Sequence, residues 1–208
     1  MTGFLEILQQ ERVVVVIRAA QPTSLNAILQ ALYEGGLRIF EITVEAPNSI
    51  RMLEDARASL PQDAILGAGT VLDAGTASLA IAFGAQFVVS PVLHKEVCQV
   101  TRAHGLPCIL GGMTPTEIHT AYQYGSDVVK VFPAVTVGSA FIHELRGPLN
   151  FIPLYVTGGI TLENAPAFLD AGAAAVGVGG ALVNYSAVQH RDWETLRQTA
   201  SSWAKLKK

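Results

Sequence analysis

Cysteine is nearly absent from this chain: Cys98 and Cys108 are the only two among 208 residues, with no CxxC pair and no secretory context that would favour a disulfide. Both read as reduced packing residues. The five histidines, His94, His104, His119, His143 and His190, show no HxxxH or HExxH spacing and no accompanying carboxylates of a metal site. Chemistry without metal or cofactor is expected. Clustered positive charge is missing too. Net charge is −3, and the only Lys/Arg grouping is the short tail Lys205, Lys207 and Lys208. Nucleic acid and membrane surfaces therefore have no electrostatic claim on the chain. The longest early apolar run, Val13 to Ile17, is far too short to span a bilayer, and Glu6 and Glu11 occupy the region where a signal peptide would carry an uncharged core. A soluble protein of the cytoplasm is expected.

Half of the positions are apolar, enough for a substantial core, and the length fits one domain over residues 1–208. Short β-branched runs alternate with longer segments whose apolar residues recur at helical spacing, the signature of repeated βα units on a parallel sheet. The runs are Val13–Arg18, Arg38–Val44, Ile65–Ala68, Phe87–Val89, Pro107–Leu110, Val128–Phe132, Ile152–Val156 and Ala174–Val178. Helical segments fill the gaps, from Pro22–Glu34 to Trp193–Leu206. Glycines mark the helix ends at Gly35-Gly36, Gly84, Gly105, Gly125 and Gly172, where a left-handed C-cap is required. Eight units of this size predict an α/β chain folded as a (β/α)8 TIM barrel with an extra N-terminal helix; a doubly wound open sheet is the alternative. In such barrels the active site lies at the C-terminal ends of the strands.

The unusual residues fall at those ends. Lys130 sits in the run Asp127-Val128-Val129-Lys130-Val131-Phe132-Pro133, where an ammonium group is out of place. Burial disfavours the charged form of a lysine and frees the amine as a nucleophile, as Schiff-base catalysis requires. A lysine that snorkels from a strand end or pairs with a carboxylate is the plainer alternative. Alternation puts Val128, Lys130 and Phe132 on one face, Ile39, Glu41 and Thr43 on another, and Val14, Val16 and Arg18 on a third. Lys130, Glu41 and Arg18 are thus expected to converge inside the barrel. They form either a structural ion-pair network or a nucleophile, a proton carrier and an anchor for an anionic keto acid. Glycine-rich turns follow the last two strands, at Thr157-Gly158-Gly159-Ile160 and Gly177-Val178-Gly179-Gly180-Ala181, where barrels commonly hold phosphate. Ordinary tight turns would also explain them. Thr70, in Gly67-Ala68-Gly69-Thr70, offers a hydroxyl at the same end or a cap for the next helix.

Together with Glu41-Ile42-Thr43, Gly67-Ala68-Gly69-Thr70-Val71, Ser90-Pro91, Met113-Thr114-Pro115-Thr116-Glu117, Lys130-Val131-Phe132-Pro133 and Thr157-Gly158-Gly159-Ile160, these features give a recognisable series. The chain resembles the 2-keto-3-deoxy-6-phosphogluconate (KDPG) and 4-hydroxy-2-oxoglutarate (KHG) aldolases from about Val13 to Val183. The resemblance implies a homotrimer of class I aldolase barrels that release pyruvate from a 2-keto-4-hydroxy acid. Lys130 would be the Schiff-base lysine and Glu41 the general acid/base. Thr70, Pro91, Phe132 and Thr157 would line and shape the substrate site, and Gly158, Gly159, Gly179 and Gly180 would hold a phosphate. Trp203 and Phe141 are apolar residues available between subunits.

Three departures stand out. Many family members carry an arginine for the substrate carboxylate where this chain has Glu45. Two carboxylates 4 Å apart repel by roughly 1 kcal/mol in water and about 4 kcal/mol at an effective dielectric of 20. Arg18, with its forked guanidinium, is the expected replacement. The last turn reads Gly179-Gly180-Ala181 where many members place a serine hydroxyl. The usual Pro-Thr-Gly-Gly and Ser-Pro-Gly appear as Val156-Thr157-Gly158-Gly159 and Ser90-Pro91-Val92. Alternative readings are a 2-keto-3-deoxy-6-phosphogalactonate aldolase and a non-catalytic barrel binding a phosphometabolite or keto acid.

Overall fold

A computed structural model of the chain describes residues 3–18, 22–45 and 49–208. Among these, eight parallel strands close into a barrel in chain order, with β1 paired to both β2 and β8. The strands are β1 Val13–Ile17, β2 Ile39–Thr43, β3 Ile65–Gly69, β4 Phe87–Val89, β5 Cys108–Gly111, β6 Val128–Val131, β7 Leu154–Thr157 and β8 Ala175–Val178. Closure excludes the open sheet. An extra helix, α1 (Phe4–Glu11), precedes β1, and α2 (Pro22–Glu34) spans the expected residues. The remaining helices are α3 Ser49–Ser59, α4 Ala74–Ala82, α5 Lys95–Ala103, α6 Pro115–Gln123, α7 Ala134–Leu145, α8 Ala165–Asp170, α9 Tyr185–Gln189 and α10 Trp193–Ala204. None of the described helices is long and apolar enough to cross a membrane. The seventh strand starts two residues later than its apolar run, because Ile152 and Pro153 belong to the approach and Pro153 contributes only its carbonyl, to Val129 N.

Alternation divides the strands between two cores. Val13, Val15 and Ile17, Phe40 and Ile42, Val129 and Val131 face outward against the helices. Val14, Ile39, Phe87, Val89, Ile109, Val128, Tyr155 and Ala175 face inward. Leu8 joins this inner set, with Phe4, Leu5 and Ile7 packed against it, so α1 plugs the barrel; the Phe4 and Phe87 rings lie 5.1 Å apart. This is why the chain needs a helix before its first strand: the interior at that end is apolar and would otherwise meet water.

Helix ends obey the local chemistry. Gly36, Gly84, Gly105, Gly125 and Gly172 all take positive φ, while Gly35 is glycine for a different reason. A Cβ there would come within 2.4 Å of Ala200 Cβ on α10. The motif Met113-Thr114-Pro115-Thr116-Glu117 is a capping box: Thr114 Oγ1 accepts from Glu117 N, and Glu117 Oε2 accepts from the backbone amides of Met113 and Thr114 at 3.0 and 2.9 Å. Its role is to start α6. One sequence expectation fails here. Trp203 is fully buried and Phe141 is packed partly buried against the core, so neither is an exposed apolar contact for a second subunit. Helical spacing had left open which side of α10 faced the barrel, and its apolar stripe turned Trp203 inward with Leu196 and Ala200.

Candidate active site

Above the apolar plug, the interior changes character. Lys130, on β6, and Glu41, on β2, point into it from opposite parts of the wall, with side chains only 3% and 0% exposed and Nζ 3.9 Å from Glu41 Oε1. The centroid of the Phe132 ring lies 5.3 Å from Lys130 Nζ. Glu41 Oε2 accepts a hydrogen bond from the Tyr155 hydroxyl at 3.1 Å. Oε1 is buried and has no hydrogen-bond partner; the facing lysine is in ion-pair range only. Tyr155, on β7, is in register with Lys130 and is fully buried. Burial, then the charge of Glu41 and the hydrogen bond to it, holds the phenol well above its usual value of 10, with Thr157 and Arg18 pulling weakly the other way. The phenol is therefore a donor throughout the ordinary pH range.

Glycine makes room for these groups. A Cβ at Gly69 would lie 2.1 Å from Glu41 Oε1, one at Gly177 would lie 2.1 Å from the Tyr155 hydroxyl, and one at Gly111 would lie 2.1 Å from the Pro91 carbonyl. The inward positions of β3 and β8 are stripped of side chains where Glu41 of β2 and Tyr155 of β7 need space, and Gly111 of β5 lets the Pro91 backbone approach.

A cleft of about 450 Å³ opens over the mouth between the first strand and the last three. Arg18, Phe132, Thr157, Gly158, Gly159, Gly179 and Gly180 line it, together with Val16, Ile160, Thr161, Gly177 and Ala181. Seven of the residues singled out in the sequence thus come together. Lys130 and Glu41 lie outside this lining, and Thr70 and Pro91 stand at the ends of β3 and β4. Thr70 does not cap α4. Asp73 does so, accepting from Thr76 N at 2.7 Å, and Thr70 instead holds a left-handed backbone with φ 57°. Gly158 and Gly159 have φ of 92° and 74°, and a Cβ on either would strike the Phe132 ring at 2.9 Å or Val135 at 2.5 Å. Both turns leave backbone exposed to the cleft, but the second carries no side-chain hydroxyl.

Arg18 departs from expectation. Its side chain is 47% exposed and meets Glu45, equally exposed, at 4.0 Å. The three charges do not converge in one cavity. Arg18 lies one residue past the end of β1, where a long side chain keeps its guanidinium in water. The departure at Glu45 is thereby explained in part, since its carboxylate faces a cation at the rim. Sequence reasoning missed Tyr155. The signal was there, because alternation places Tyr155 on the inward face with Thr157, and a buried phenol demands a partner. Among the described residues, no cluster of three or more His, Cys, Asp or Glu side chains has the arrangement of a metal site.

The fold and the site define a class: barrel enzymes of metabolism that carry an amine and a carboxylate at the C-terminal end of the sheet. The comparisons with known proteins are specific within it. A family model described as KDPG and KHG aldolase matches residues 5–199. The chain is 36% identical over 165 residues to a 2-dehydro-3-deoxy-phosphogluconate aldolase of Treponema pallidum, covering 79% of this chain and 78% of that protein. It is 31% identical over 173 residues to a 2-dehydro-3-deoxy-6-phosphogalactonate aldolase of Escherichia coli, covering 81% and 83%. Among solved structures it is similar to the KDPG aldolase of Legionella pneumophila, captured with pyruvate as a covalent carbinolamine, with a TM-score of 0.89 and 26% identity over 97% of this chain and 98% of that one. The chain belongs to the KDPG and KHG aldolase family, and it is an aldolase, a lyase of carbon–carbon bonds.

Proposed function

We propose that this chain, as one catalytic domain over residues 1–208, cleaves 2-keto-3-deoxy-6-phosphogluconate, 4-hydroxy-2-oxoglutarate or both to pyruvate and glyceraldehyde 3-phosphate or glyoxylate. The observation that carries this reading is the buried Lys130–Glu41 pair, because a lone ion pair in that position costs desolvation that a hydrophobic pair would avoid. Lys130, in its amine form, adds to the C2 carbonyl, and loss of water gives an iminium. Glu41 takes the proton from the C4 hydroxyl as the C3–C4 bond breaks and its electrons move into the iminium. The aldehyde leaves, Glu41 returns a proton to C3 of the enamine, and hydrolysis frees pyruvate and the lysine. No metal or cofactor takes part in this scheme.

Arg18 holds an anionic end of the substrate, and the exposed backbone of Gly158, Gly159, Gly179 and Gly180 receives the phosphate when there is one. Thr70, Pro91, Phe132 and Thr157 shape the pocket. The absence of a hydroxyl at Ala181 removes one hydrogen bond to a charged group, worth about 1.5–3 kcal/mol, which favours tolerance of unphosphorylated acids. A homotrimer in the cytoplasm, serving sugar-acid breakdown of the Entner–Doudoroff type, fits exposed apolar side chains such as Leu72, Val92 and Val135 near the barrel mouth.

Incubation with pyruvate and borohydride, followed by mass spectrometry, tests the reading. A reduced pyruvyl adduct on Lys130 is expected, and side-by-side cleavage assays with the gluconate- and galactonate-derived acids and 4-hydroxy-2-oxoglutarate then rank the substrates. Bound pyruvate without an adduct would point to a non-catalytic barrel. Preference for the galactonate-derived acid, the activity named for the Escherichia coli relative, would replace the first substrate assignment.

A further inference from the structure

Tyr155 is fully buried beside Lys130, and its phenol has no part in the chemistry above. Its hydroxyl donates to Glu41 Oε2 at 3.1 Å, which occupies one oxygen of the carboxylate. The other, Oε1, is buried, has no hydrogen-bond partner and lies 3.9 Å from Lys130 Nζ. The two oxygens are therefore unequal. Two glycines fit this arrangement: a side chain at Gly177 would displace the phenol, and one at Gly69 would displace Oε1, each Cβ falling 2.1 Å from the atom concerned. The charged and titratable groups around Glu41 are Lys130 from β6, Tyr155 from β7 and, farther out, the Arg18–Glu45 pair at the rim. The inward positions of β3, β4 and β8 offer only Gly67, Gly69, Phe87, Val89, Ala175 and Gly177 among their upper residues.

We propose that Tyr155 is a positioning residue that clamps Glu41 through Oε2 and leaves Oε1 as the single atom that exchanges protons with the substrate. The inference rests on the roles given above to Lys130 and Glu41. The proton from the C4 hydroxyl passes to Oε1 as the C3–C4 bond breaks, the same oxygen delivers a proton to C3 of the enamine, and the phenol keeps its own proton throughout. A fixed carboxylate matters because proton transfer needs the donor and acceptor within hydrogen-bond reach, and a glutamate free to rotate inside an enlarged cavity spends much of its time elsewhere.

Pyruvate alone separates the steps. Borohydride trapping reports iminium formation at Lys130, whereas exchange of the pyruvate methyl hydrogens with solvent deuterium reports proton removal from C3 by Glu41. Tyr155→Phe is expected to trap pyruvate as fully as the parent with unchanged KM, while kcat and methyl exchange fall on the order of 10- to 100-fold. Gly177→Ala, which pushes the phenol aside without removing it, should give the same split. Adding Tyr155→Phe to Glu41→Gln should slow exchange no further. Parent-like kcat and exchange in Tyr155→Phe would overturn the clamp, as would parallel loss of trapping and exchange, which would mean that the phenol acts on Lys130 or on the fold. Undiminished exchange in Glu41→Gln alone would instead overturn the role of Glu41, and the clamp with it.

Discussion

Two ion pairs in this molecule have almost the same separation and opposite settings. Lys130 and Glu41 stand 3.9 Å apart with side chains 3% and 0% exposed, and Arg18 and Glu45 stand 4.0 Å apart with both 47% exposed. The buried pair is surrounded by protein that cannot reorient, so each charge depends on the other and on the Tyr155 hydroxyl. The rim pair is bathed in water and salt, so its mutual attraction is small and its arginine is free to exchange partners. Distance is thus a poor guide to what a pair does. Burial suits one pair to covalent and proton chemistry, and exposure suits the other to catching an anion.

The largest effect should come from breaking the buried pair on one side. Lys130→Ala is expected to abolish turnover and borohydride trapping, and to lower stability by about 3–5 kcal/mol in urea denaturation because Glu41 is left as an uncompensated buried charge. Replacing both partners, as Lys130→Met with Glu41→Leu, should recover part of that loss while activity stays absent, the remainder coming from the buried Tyr155 hydroxyl deprived of its acceptor. A double variant as unstable as the single one would mean that the pair holds the barrel together.

The rim pair should behave in the opposite way. Arg18→Gln is expected to change stability by no more than about 1 kcal/mol, yet raise KM for an anionic substrate by roughly 10- to 100-fold with little change in kcat. The same KM should rise with ionic strength in the parent and be nearly flat in the variant. An Arg18→Gln protein with parent KM would remove the arginine from the binding role.

Alkaline denaturation sharpens the contrast further. Burial and Glu41 raise the phenol of Tyr155 well above 10, so above pH 10 the unfolded chain releases a proton that the folded chain keeps. The unfolded state then binds fewer protons, and stability falls as pH rises from about 10 toward the folded-state value, by up to about 1.4 kcal/mol per pH unit. Tyr155→Phe lacks this loss. The stability gap between parent and variant, followed by urea midpoints at pH 8, 10 and 11, should therefore move in favour of the variant as pH climbs. A constant gap would show that the phenol ionises no later than an exposed one.

The smallest effect is expected far from either pair. Thr114→Ala removes a capping hydroxyl from α6 and should cost about 1 kcal/mol with kcat and KM unchanged. A catalytic defect there would give the capping box a role beyond starting a helix.

Much of the site was legible before the structure because it violates local rules. Lys130 and Glu41 are charges inside apolar, β-branched runs, and period-two alternation was sufficient to aim both inward. The turns at Gly158-Gly159 and Gly179-Gly180 announced themselves by composition, and all four line one cleft. Tyr155 escaped notice because an aromatic in a strand obeys the local rules, and only its partner 114 residues away makes it unusual. Arg18 was misplaced because alternation gives a direction without a depth. One residue beyond a strand end is the difference between a buried cavity and a wet rim.

The sequence alone determined the eight βα units, their glycine stops, the presence of a helix before the first strand, and the membership in an aldolase family, since each follows from local propensity, periodicity or ordered motifs. The tertiary structure alone decided which charges meet. Closing the sheet brings β2, β6 and β7 to one interior and places Glu41 between an amine and a phenol, an outcome of long-range register that no short window of residues encodes.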